Sequence, residues 1–488
     1  MKKYLPVIIP LLLVKLAVHL AGNANYGFHR DELLHLSAGE HLAAGYMEFP
    51  PFIAFAGRFS HLLFGYDLSG MRIFATLAGL GILWLCCRMA VDMGGKKMAV
   101  FVAGISILAF LPYYRNHLLF QPVAFDQFFW TLGFFFLLRY INTGEPRYLL
   151  WLGLAAGLGV MNKYTMLLWA GGALTGLLFH RHGSTFSSKW LYIAGGLALL
   201  IVLPNLIWQW QHNFPLALHV KRLDELSAPN TFARDQLQLP FTLLLSLVGL
   251  FALFFHQRLR KYRSAAVAVL FIFFMLWLLN SKGYYFFAAY PVLFAAGAVQ
   301  AEQWLARRPA WNYAVAAFLL LPVVPFVPDA IPILPIKTFI EYKQKQPDAE
   351  GHYQLTSDYA DMFGWEEQVR LVDSLYATLS ADEQAECVLW ASNYGEAGAI
   401  KILGGKEPLC RHGSFWLWGP GRKSGRIAIS IGNSKETVNK VFEHAELVAT
   451  IRHPYAIKEE NNIGLYLCRG PRISLPAIWP TLANQVFE

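Results

Sequence analysis

Long apolar runs recur along the first two thirds of this chain, separated by short polar breaks, and they constrain its fold more than any other feature. A predominantly apolar helix of about 17–25 residues crosses the hydrocarbon core of a bilayer. Only 15% of the residues are charged, against about 25% in soluble domains, so lipid is the expected solvent. The sequence therefore predicts a polytopic α-helical membrane protein with about eleven transmembrane segments: 4–22, 70–92, 98–112, 122–141, 148–161, 164–179, 190–209, 237–256, 264–279, 285–304 and 311–327.

The basic residues support this count. If Lys2 and Lys3 are cytoplasmic, the loops on that side are 94–97, 142–147, 181–189, 256–263 and 306–310, and each contains Lys or Arg. That asymmetry follows the positive-inside rule, so it explains the net charge of +9 without a nucleic-acid partner. We therefore expect a bacterial cytoplasmic membrane protein with its N-terminus in the cytoplasm and the residues after Val327 in the periplasm.

Two parts of this topology have alternatives. The apolar stretch 4–21 suits a cleaved signal peptide as well as an anchor, but its length and the lack of a small-x-small cleavage site favour a retained anchor. Segments 148–161 and 164–179 are short enough to be read as a single crossing. That reading would place the basic cluster 256–263 outside, so two crossings are predicted.

Composition divides the chain into a transmembrane domain, 1–335, and a polar domain, 336–488, predicted to be periplasmic and α/β. The first outer loop, about 23–69, is longer than a connector needs, and its patterns 31–44 and 51–64 predict two helices along the membrane surface. In the polar domain we predict strands at 387–391, 426–431, 447–451 and 463–468, and helices at 365–379, 396–403 and 434–444. Three of the five cysteines, Cys387, Cys410 and Cys468, fall there, which allows one disulfide at most.

The acidic pair Asp31-Glu32 follows the first apolar segment. An acidic first turn of a surface helix would explain it, because carboxylates stabilise helix N-termini. Its position beside a deep apolar body favours a functional role, as a general base or a cation ligand. Glu32 and His35 share a helix face, so a divalent ion held by Asp31, Glu32, His35 and Asp126 is one reading. The pattern lacks the first His of a zinc peptidase, and a peptidase is therefore disfavoured.

Other charged residues interrupt apolar segments on the predicted outer side. Asp126 lies near the outer end of the fourth segment, where an acid is costly unless functional or reached by water. Lys163 and Lys282 run against the positive-inside trend, and a phosphate headgroup would satisfy both, although snorkelling to the interface is the alternative. The neighbouring Tyr284 and Tyr285 suit either a ligand contact or an aromatic belt.

A set of short motifs accompanies the acidic pair in a fixed order: Ala43-Ala44-Gly45-Tyr46, Phe49-Pro50-Pro51-Phe52, Phe64-Gly65, Met71-Arg72, Asn162-Lys163-Tyr164-Thr165, Lys282-Gly283-Tyr284-Tyr285, Asn393-Tyr394-Gly395-Glu396 and Trp416-Leu417-Trp418-Gly419-Pro420. Together they resemble the dolichyl-phosphate-mannose-protein mannosyltransferase-like group of bacterial membrane glycosyltransferases. This group is glycosyltransferase family 39 of the GT-C fold and is related to the aminoarabinose transferases that act on lipid A. The resemblance extends over nearly the whole chain.

The resemblance implies a GT-C fold, a polyprenyl-phosphate sugar donor, and inverting transfer to a protein, lipid A or another glycan outside the cytoplasmic membrane. It implies catalysis by Asp31, with Glu32 in support and Asp126 as a second loop acid; metal dependence stays open. Contacts to the donor phosphate are assigned to Lys163, Lys282, Tyr284, Tyr285, Arg58, Tyr46, His117 and Gln121. Acceptor contacts in the tail are assigned to Tyr394, Glu396, His412 and Trp418. One departure is Glu48, because the aminoarabinose transferases have a Lys before the double Pro.

Two other functions were weighed against transfer. A flippase or transporter of lipid-linked sugars needs charged groups or broken helices near the membrane midplane, whereas the polar sites identified above cluster on the outer side. A membrane receptor would use the tail as its sensor, with Glu396 and residues 416–420 as the ligand site. An enzymatic role is therefore predicted, with the identities of the sugar and the acceptor left open.

Overall fold

The computed structural model describes residues 2–225 and 230–485. Residues 226–229 of a predicted outer loop and 486–488 of the predicted tail domain lie outside the described residues. The chain forms two compact units. Unit 1 comprises Met1–Asn23, Arg72–Asn213 and Leu223–Ile333, and unit 2 comprises Ala24–Met71, Phe214–Arg222 and Leu334–Glu488.

The α-helices, in chain order, are α1 (Leu5–Asn23), α2 (Arg30–Glu40), α3 (Phe52–Phe64), α4 (Leu68–Asp92), α5 (Lys97–Ala109), α6 (Pro112–Asn116), α7 (Pro122–Thr143), α8 (Arg147–Asn162), α9 (Met166–Leu178), α10 (Lys189–Gln211), α11 (Pro215–Glu225), α12 (Phe232–Leu237), α13 (Pro240–Phe255), α14 (Arg263–Leu278), α15 (Tyr290–Trp304), α16 (Trp311–Leu320), α17 (Val327–Ala330), α18 (Ile336–Tyr342), α19 (Ser357–Ala360), α20 (Trp365–Ala377), α21 (Ala381–Glu386), α22 (Tyr394–Ile402), α23 (Gly413–Leu417), α24 (Lys435–Val441) and α25 (Leu475–Ile478). The strands are β1 (Cys387–Ala391), β2 (Pro408–Leu409), β3 (Ile427–Ile431), β4 (Phe442–Ile451) and β5 (Ile463–Pro471).

Unit 1 is helical, and a helix occupies each of the eleven predicted apolar segments. By length and composition, six helical stretches can cross a membrane: Lys2–Asn23, Leu68–Asp92, Lys189–Gln211, Arg260–Leu278, Gly283–Trp304 and Trp311–Ala330. The chain is thus a multi-pass membrane protein. Eleven crossings and the orientation of the termini stay predictions.

Segment 148–179 forms two helices, α8 and α9, rather than one, as predicted. They are separated at Lys163, whose backbone is extended at φ −157°. Elsewhere in unit 1, glycines bring helices into close contact. A Cβ on Gly249 would lie 2.2 Å from the Leu293 carbonyl oxygen, and one on Gly297 would lie 2.3 Å from that of Leu245. Small residues of this kind allow the backbones of α13 and α15 to pack closely, as is common between helices in lipid.

Unit 2 contains a five-stranded mixed sheet with the order β2-β1-β3-β5-β4. Strand β1 runs parallel to β2 and β3, whereas β5 runs antiparallel to β3 and β4. Residues from these strands and from the C-terminal segment form a core that includes Val388, Ala428, Phe442, Tyr466 and Trp479. The α/β composition predicted for the tail is therefore confirmed.

Most predicted tail elements are present with small changes at their ends. The strand 387–391 has the predicted limits, and β3 and β5 differ from the prediction by one and three residues at one end. The helix predicted at 434–444 was wrong at its end, because Phe442 begins β4. There the Phe442 side chain is buried in the core, and β4 pairs with β5 from Phe442 onward, so tertiary pairing overrides the local helical pattern.

The first outer loop contains the two predicted helices, α2 and α3, although α2 ends at Glu40 instead of residue 44. The structure groups this loop with the tail in unit 2, whereas composition had placed it in the domain 1–335. Packing explains the difference: α2 buries Leu33 against α22, where a Cβ on Gly398 would lie 2.7 Å from the Leu33 Cβ. All five cysteines are buried free thiols, so the disulfide left open for the tail is not formed.

Candidate functional site

The acidic pair lies in the first turn of α2, where the sequence forms a capping box. His29 is the N-cap residue, and its Nδ1 accepts the Asp31 amide at 3.2 Å. In return, the Glu32 Oε2 accepts the His29 amide at 2.9 Å, and Glu32 is fully buried. Reciprocal bonds of this kind satisfy the backbone donors that a helix start leaves unpaired. The structure therefore gives Glu32 a capping role and fixes the direction in which Asp31 leaves the helix.

Asp31 combines access with a fixed position. Its side chain is 36% exposed, and its Oδ1 accepts a hydrogen bond of 3.0 Å from the Tyr394 hydroxyl at the start of α22. Burial, and then the charge of Asp31, raise the pKa of Tyr394 well above its ordinary value. The phenol thus stays protonated and donates to the carboxylate. Two predicted site residues, Asp31 and Tyr394, are brought together from positions 363 residues apart.

A network of further charges surrounds this contact. The Arg30 Nε lies 2.6 Å from the Asp361 Oδ1, and its Nη2 lies 3.7 Å from the Glu460 Oε1. Burial raises the pKa of both Asp361 and Glu460, against the opposing effect of the Arg30 charge. The acids of this network were not predicted from the sequence, because they are separated from Arg30 by more than 300 positions and carry no motif.

The other predicted tail residues have mainly structural contacts. Glu396 is buried, and its Oε2 accepts the Ser392 amide at 2.6 Å; burial and the nearby Glu460 raise its pKa well above the ordinary value. Burial lowers the pKa of His412 to about 4. Trp418 stacks on the His41 ring with centroids 4.2 Å apart. These contacts give no direct support to acceptor binding, which stays a prediction for Glu396, His412 and Trp418.

Glu48, the residue that departs from the family pattern, binds the tail. Its Oε1 accepts the Ser414 amide at 2.8 Å, and its Oε2 accepts the Ser414 hydroxyl at 2.6 Å. The same hydroxyl accepts the Met47 amide at 3.1 Å. In this chain the position before the double Pro therefore joins the first loop to α23.

Two residues of the same loop, assigned above to the donor phosphate, bond within the loop instead. The Tyr46 hydroxyl donates to the carbonyl oxygens of Ala38 and His41 at 3.0 and 2.9 Å. The Arg58 Nη1 donates to the Glu40 Oε1 at 2.9 Å. The assignment of Tyr46 and Arg58 to the donor phosphate stays a prediction, to which these bonds add no support.

In unit 1, three predicted site residues contact one another. The Lys163 Nζ lies 4.1 Å from the centroid of the Tyr285 ring and 5.2 Å from that of Tyr284, which is cation–π geometry. Asp126 is the fifth residue of α7, at the start of its second turn, and the Thr165 hydroxyl lies 2.9 Å from each of its carboxylate oxygens. Asp126 is only 2% exposed. This acid is therefore enclosed between α7 and the break at Lys163–Thr165 that separates α8 from α9.

Lys282 is exposed, and the turn that follows it packs against an acid that sequence reasoning missed. A Cβ on Gly283 would lie 2.6 Å from the Asp235 Cβ. The neighbouring Gln236 donates to the Gly283 carbonyl oxygen at 3.0 Å and accepts the Tyr290 hydroxyl at 3.0 Å. Asp235 had no signal in the sequence, because it lies in a polar segment, predicted to be an outer loop, that has no apolar periodicity. The Asp235 carboxylate is therefore a further candidate site residue beside Lys282.

The remaining predicted residues of unit 1 are buried. His117 is fully buried, with its Nε2 3.0 Å from the Gln127 Oε1, and Gln121 is the N-cap residue of α7. Sequence reasoning also missed two buried groups in α1. The Lys15 Nζ lies 3.1 Å from the His19 Nε2, and both side chains are at most 1% exposed.

The predicted metal ion receives no structural support from these residues. The Glu32 Oε2 is occupied by the His29 amide, and the His35 ring packs edge-on to Phe49 at 5.0 Å. Across residues 2–225 and 230–485 there is no group of three or more His, Cys, Asp or Glu placed to hold a metal ion. Asp31, Glu32 and His35 are thus not arranged around a common metal position.

Comparison with known proteins adds to this geometry. Residues 48–208 match the family model for dolichyl-phosphate-mannose-protein mannosyltransferase. No curated protein matches the chain by sequence.

Among solved structures, ArnT from Cupriavidus metallidurans bound to undecaprenyl phosphate is similar, with a TM-score of 0.57 and 14% identity over 95% of this chain and 98% of that chain. The apo form of the same protein has a TM-score of 0.58, again with 14% identity over 95% of this chain and 98% of that chain. The oligosaccharyltransferase AglB from Archaeoglobus fulgidus, with an inhibitory peptide and a dolichol phosphate, has a TM-score of 0.51 and 12% identity over 88% of this chain and 70% of that chain. At these identities the likeness shows the fold.

Proposed function

We propose that this chain, a GT-C-fold glycosyltransferase related to the aminoarabinose transferases, transfers a sugar from a polyprenyl-phosphate donor to an acceptor outside the cytoplasmic membrane. Two proteins of the same fold support this donor class, because ArnT was solved with undecaprenyl phosphate and AglB with a dolichol phosphate. The acceptor is a protein, lipid A or another glycan, and the sugar is a hexose or a pentose.

The observation that carries the proposal is the Asp31 carboxylate. It is 36% exposed, and Tyr394 holds one of its oxygens, whereas the adjacent Glu32 is buried and used as a cap. Such a group is suited to act as a general base. The acceptor hydroxyl attacks the anomeric carbon, its proton passes to Asp31, and the bond to the phosphate oxygen breaks with its electrons on the phosphate. A single displacement inverts the anomeric configuration.

One base is enough for this reaction, because a polyprenyl phosphate leaves as a stable anion and needs no proton. Soluble glycosidases differ, since they use a second carboxyl to protonate a poor leaving group. Cations stabilise the charge that develops on the phosphate, and we assign that role in unit 1 to Lys163 and Lys282. Lys163 is held over Tyr285, and Lys282 is exposed.

The test is Asp31→Asn in a strain from which the gene has been deleted. Loss of a general base lowers a rate by about 10²–10⁴-fold, so we expect the variant not to restore the missing envelope glycan seen by mass spectrometry. The matched control is Asp358→Asn, because Asp358 is also 36% exposed and lies 3.8 Å from His29. The proposal fails if Asp31→Asn restores the glycan as well as the wild type does.

One observation favours the transport alternative. A transporter needs charged groups within the membrane, and α1 places Lys15 and His19 in a buried contact about 12 and 6 Å from its C-terminal end. An assay of the purified chain in detergent separates the two functions. A micelle does not divide two compartments, so transport cannot be observed there, whereas sugar transfer can. Incubated with detergent-solubilised membranes of the deletion strain, which contain both the accumulated donor and the acceptor, a transferase consumes the donor and releases polyprenyl phosphate. A transporter leaves the donor unchanged.

A further inference from the structure

Unit 1 contains a cleft that is unrelated to the residues discussed above. Its volume is about 960 Å³, and it is lined by some of the residues in each of three chain segments, 94–98, 255–258 and 300–312, but not by Arg307 and Arg308. These segments include parts of three loops that the positive-inside rule predicts to be cytoplasmic. The cleft therefore joins separate basic loops into one concave surface.

Three cations line this cleft without an acidic partner. Lys96, Lys97 and Arg258 are exposed, and none of them forms an ion pair with a carboxylate of the described residues. Glu302 also lines the cleft, but its carboxylate accepts the backbone amides of Lys96 and Ala99 at 2.7 and 2.9 Å, at the start of α5. Like charges in one cleft repel each other, and an anion bound among them would remove that cost.

Two buried amides add a second requirement. Gln300 and Asn312 line the same cleft at 2% and 1% exposure, and the Gln300 Oε1 and the Asn312 Oδ1 have no hydrogen-bond partner. A buried acceptor without a partner destabilises the folded protein, because it has lost its hydrogen bond to water and gained none in return. A ligand that carries a hydrogen-bond donor next to its negative charge would satisfy both amides and the three cations.

The walls of the cleft suit a lipid. Phe255 and Trp304 line it and are 70% and 61% exposed, at the C-terminal ends of α13 and α15. Exposed aromatic side chains at helix ends are typical of the membrane interface. Basic pockets between transmembrane helices on the cytoplasmic side are suited to lipid headgroups. An acyl chain can therefore lie along the aromatic walls while the headgroup occupies the polar part.

We propose that this cleft binds the headgroup of a membrane phospholipid. The phosphate lies among Lys96, Lys97 and Arg258, and an ammonium or hydroxyl group of the headgroup donates to Gln300 and Asn312. The proposal is independent of the glycosyltransferase function, because it uses none of the residues assigned to that reaction.

Native mass spectrometry of the full chain in detergent tests the cleft. Phosphatidylethanolamine and phosphatidylglycerol are titrated against the wild type, against a Lys96→Gln/Lys97→Gln/Arg258→Gln variant, and against a control, Arg307→Gln/Arg308→Gln. The control removes two exposed charges from the 306–310 loop without altering a residue that lines the cleft. We expect the triple variant to bind both lipids at least about tenfold more weakly and the control to change binding less than about twofold. All three proteins should elute as the same species without added lipid, because the altered side chains are exposed.

The ligand series tests the two parts of the headgroup. Diacylglycerol, which lacks a phosphate, should bind the wild type no better than the triple variant. Phosphatidylcholine, whose trimethylammonium group donates no hydrogen bond, should bind more weakly than phosphatidylethanolamine. Equal lipid binding by the wild type and the triple variant would overturn the proposal. Displacement of the lipid by millimolar inorganic phosphate would also overturn it, because the site would then recognise a free anion.

Discussion

At the scale of single residues, the candidate base Asp31 is held by a residue of the tail, because its Oδ1 accepts the Tyr394 hydroxyl at 3.0 Å. Asp31 can be identified from the sequence, because it belongs to an acidic pair that follows the first apolar segment. Tyr394 was predicted as an acceptor contact, yet its hydroxyl bonds to Asp31. Arg30 pairs with Asp361, and neither position carries a local pattern. Contacts between residues so far apart in the chain depend on how distant segments pack. Local patterns in a single sequence do not identify which segments pack together.

Tyr394→Phe should show that the phenol positions Asp31. The change removes a hydrogen bond to a charged group, worth about 1.5–3 kcal/mol, and we expect kcat to fall about tenfold or more. The acidic limb of the pH–rate profile should move to higher pH, because a bond that favours the ionised carboxylate is lost. A control is Tyr376→Phe, since the Tyr376 hydroxyl donates to the Gln384 carbonyl oxygen and the ring that Lys406 contacts is kept. An unchanged pH profile in the Tyr394 variant would contradict the positioning role.

Glu396→Gln should raise the thermal stability of the protein at neutral pH. Burial and Glu460 raise the pKa of Glu396 in the folded state, whereas the unfolded chain loses this proton near the ordinary value of 4.5. Below that pH both states are protonated and the side chain has no effect. As the pH rises, the unfolded state gains stability relative to the folded state, so the wild type is progressively destabilised.

For Glu396→Gln we therefore expect a Tm about 2–4 °C above the wild type at pH 7 and no difference near pH 4. Gln keeps an oxygen that can accept the Ser392 amide. Glu436→Gln is the control, because Glu436 is exposed and pairs with Lys440 one turn away. A gain that is the same at both pH values would show that titration of Glu396 is not its cause.

At the scale of elements, long apolar runs predict where the helices lie, but they do not predict which helices pack against each other. Helices occupy all eleven apolar segments, because in lipid a helix satisfies its own backbone groups. Local pattern was less reliable in the tail, where Phe442 belongs to β4 although the preceding residues form α24. The two-residue strand β2 is too short to produce a pattern at all.

Ser414→Ala should weaken the attachment of the first loop to α23. The variant removes a donor to the Glu48 Oε2 and an acceptor for the Met47 amide. Leaving buried polar groups without partners lowers the free energy of unfolding by about 1–3 kcal/mol, which thermal denaturation of the purified chain would measure. Ser424→Ala serves for comparison, because Ser424 bonds to an exposed Glu386. An equal Tm for the two variants would mean that the Glu48 contact contributes little.

At the scale of the whole molecule, composition and structure divide the chain differently. Composition separates the apolar residues 1–335 from the polar residues that follow, because it reflects whether a segment is surrounded by lipid or by water. The structure groups residues 24–71 with residues 334–488, because packing between α2 and α22 decides the unit. Hydropathy cannot predict this grouping, since a polar loop and a polar domain look alike in composition.

The predicted orientation can be tested with single cysteines, because all five native thiols are buried. Asp382→Cys and Arg307→Cys place exposed thiols in the tail and in a basic loop. By the positive-inside rule, a membrane-impermeant maleimide should label Asp382→Cys in intact spheroplasts and Arg307→Cys only after permeabilisation. The opposite pattern would reverse the assigned topology.

The grouping of the first loop with the tail also affects how the protein is made. Residues 24–71 leave the ribosome early, but α22, on which α2 packs, begins only at Tyr394. At about 5–20 residues per second, translation of the intervening chain takes on the order of tens of seconds. Throughout that time Leu33 lacks the α22 surface on which it packs in the finished protein. In the predicted topology, the loop that carries Asp31 therefore crosses the membrane before its packing partner has been made, and the speed of elongation sets how long it is exposed to proteases and chaperones.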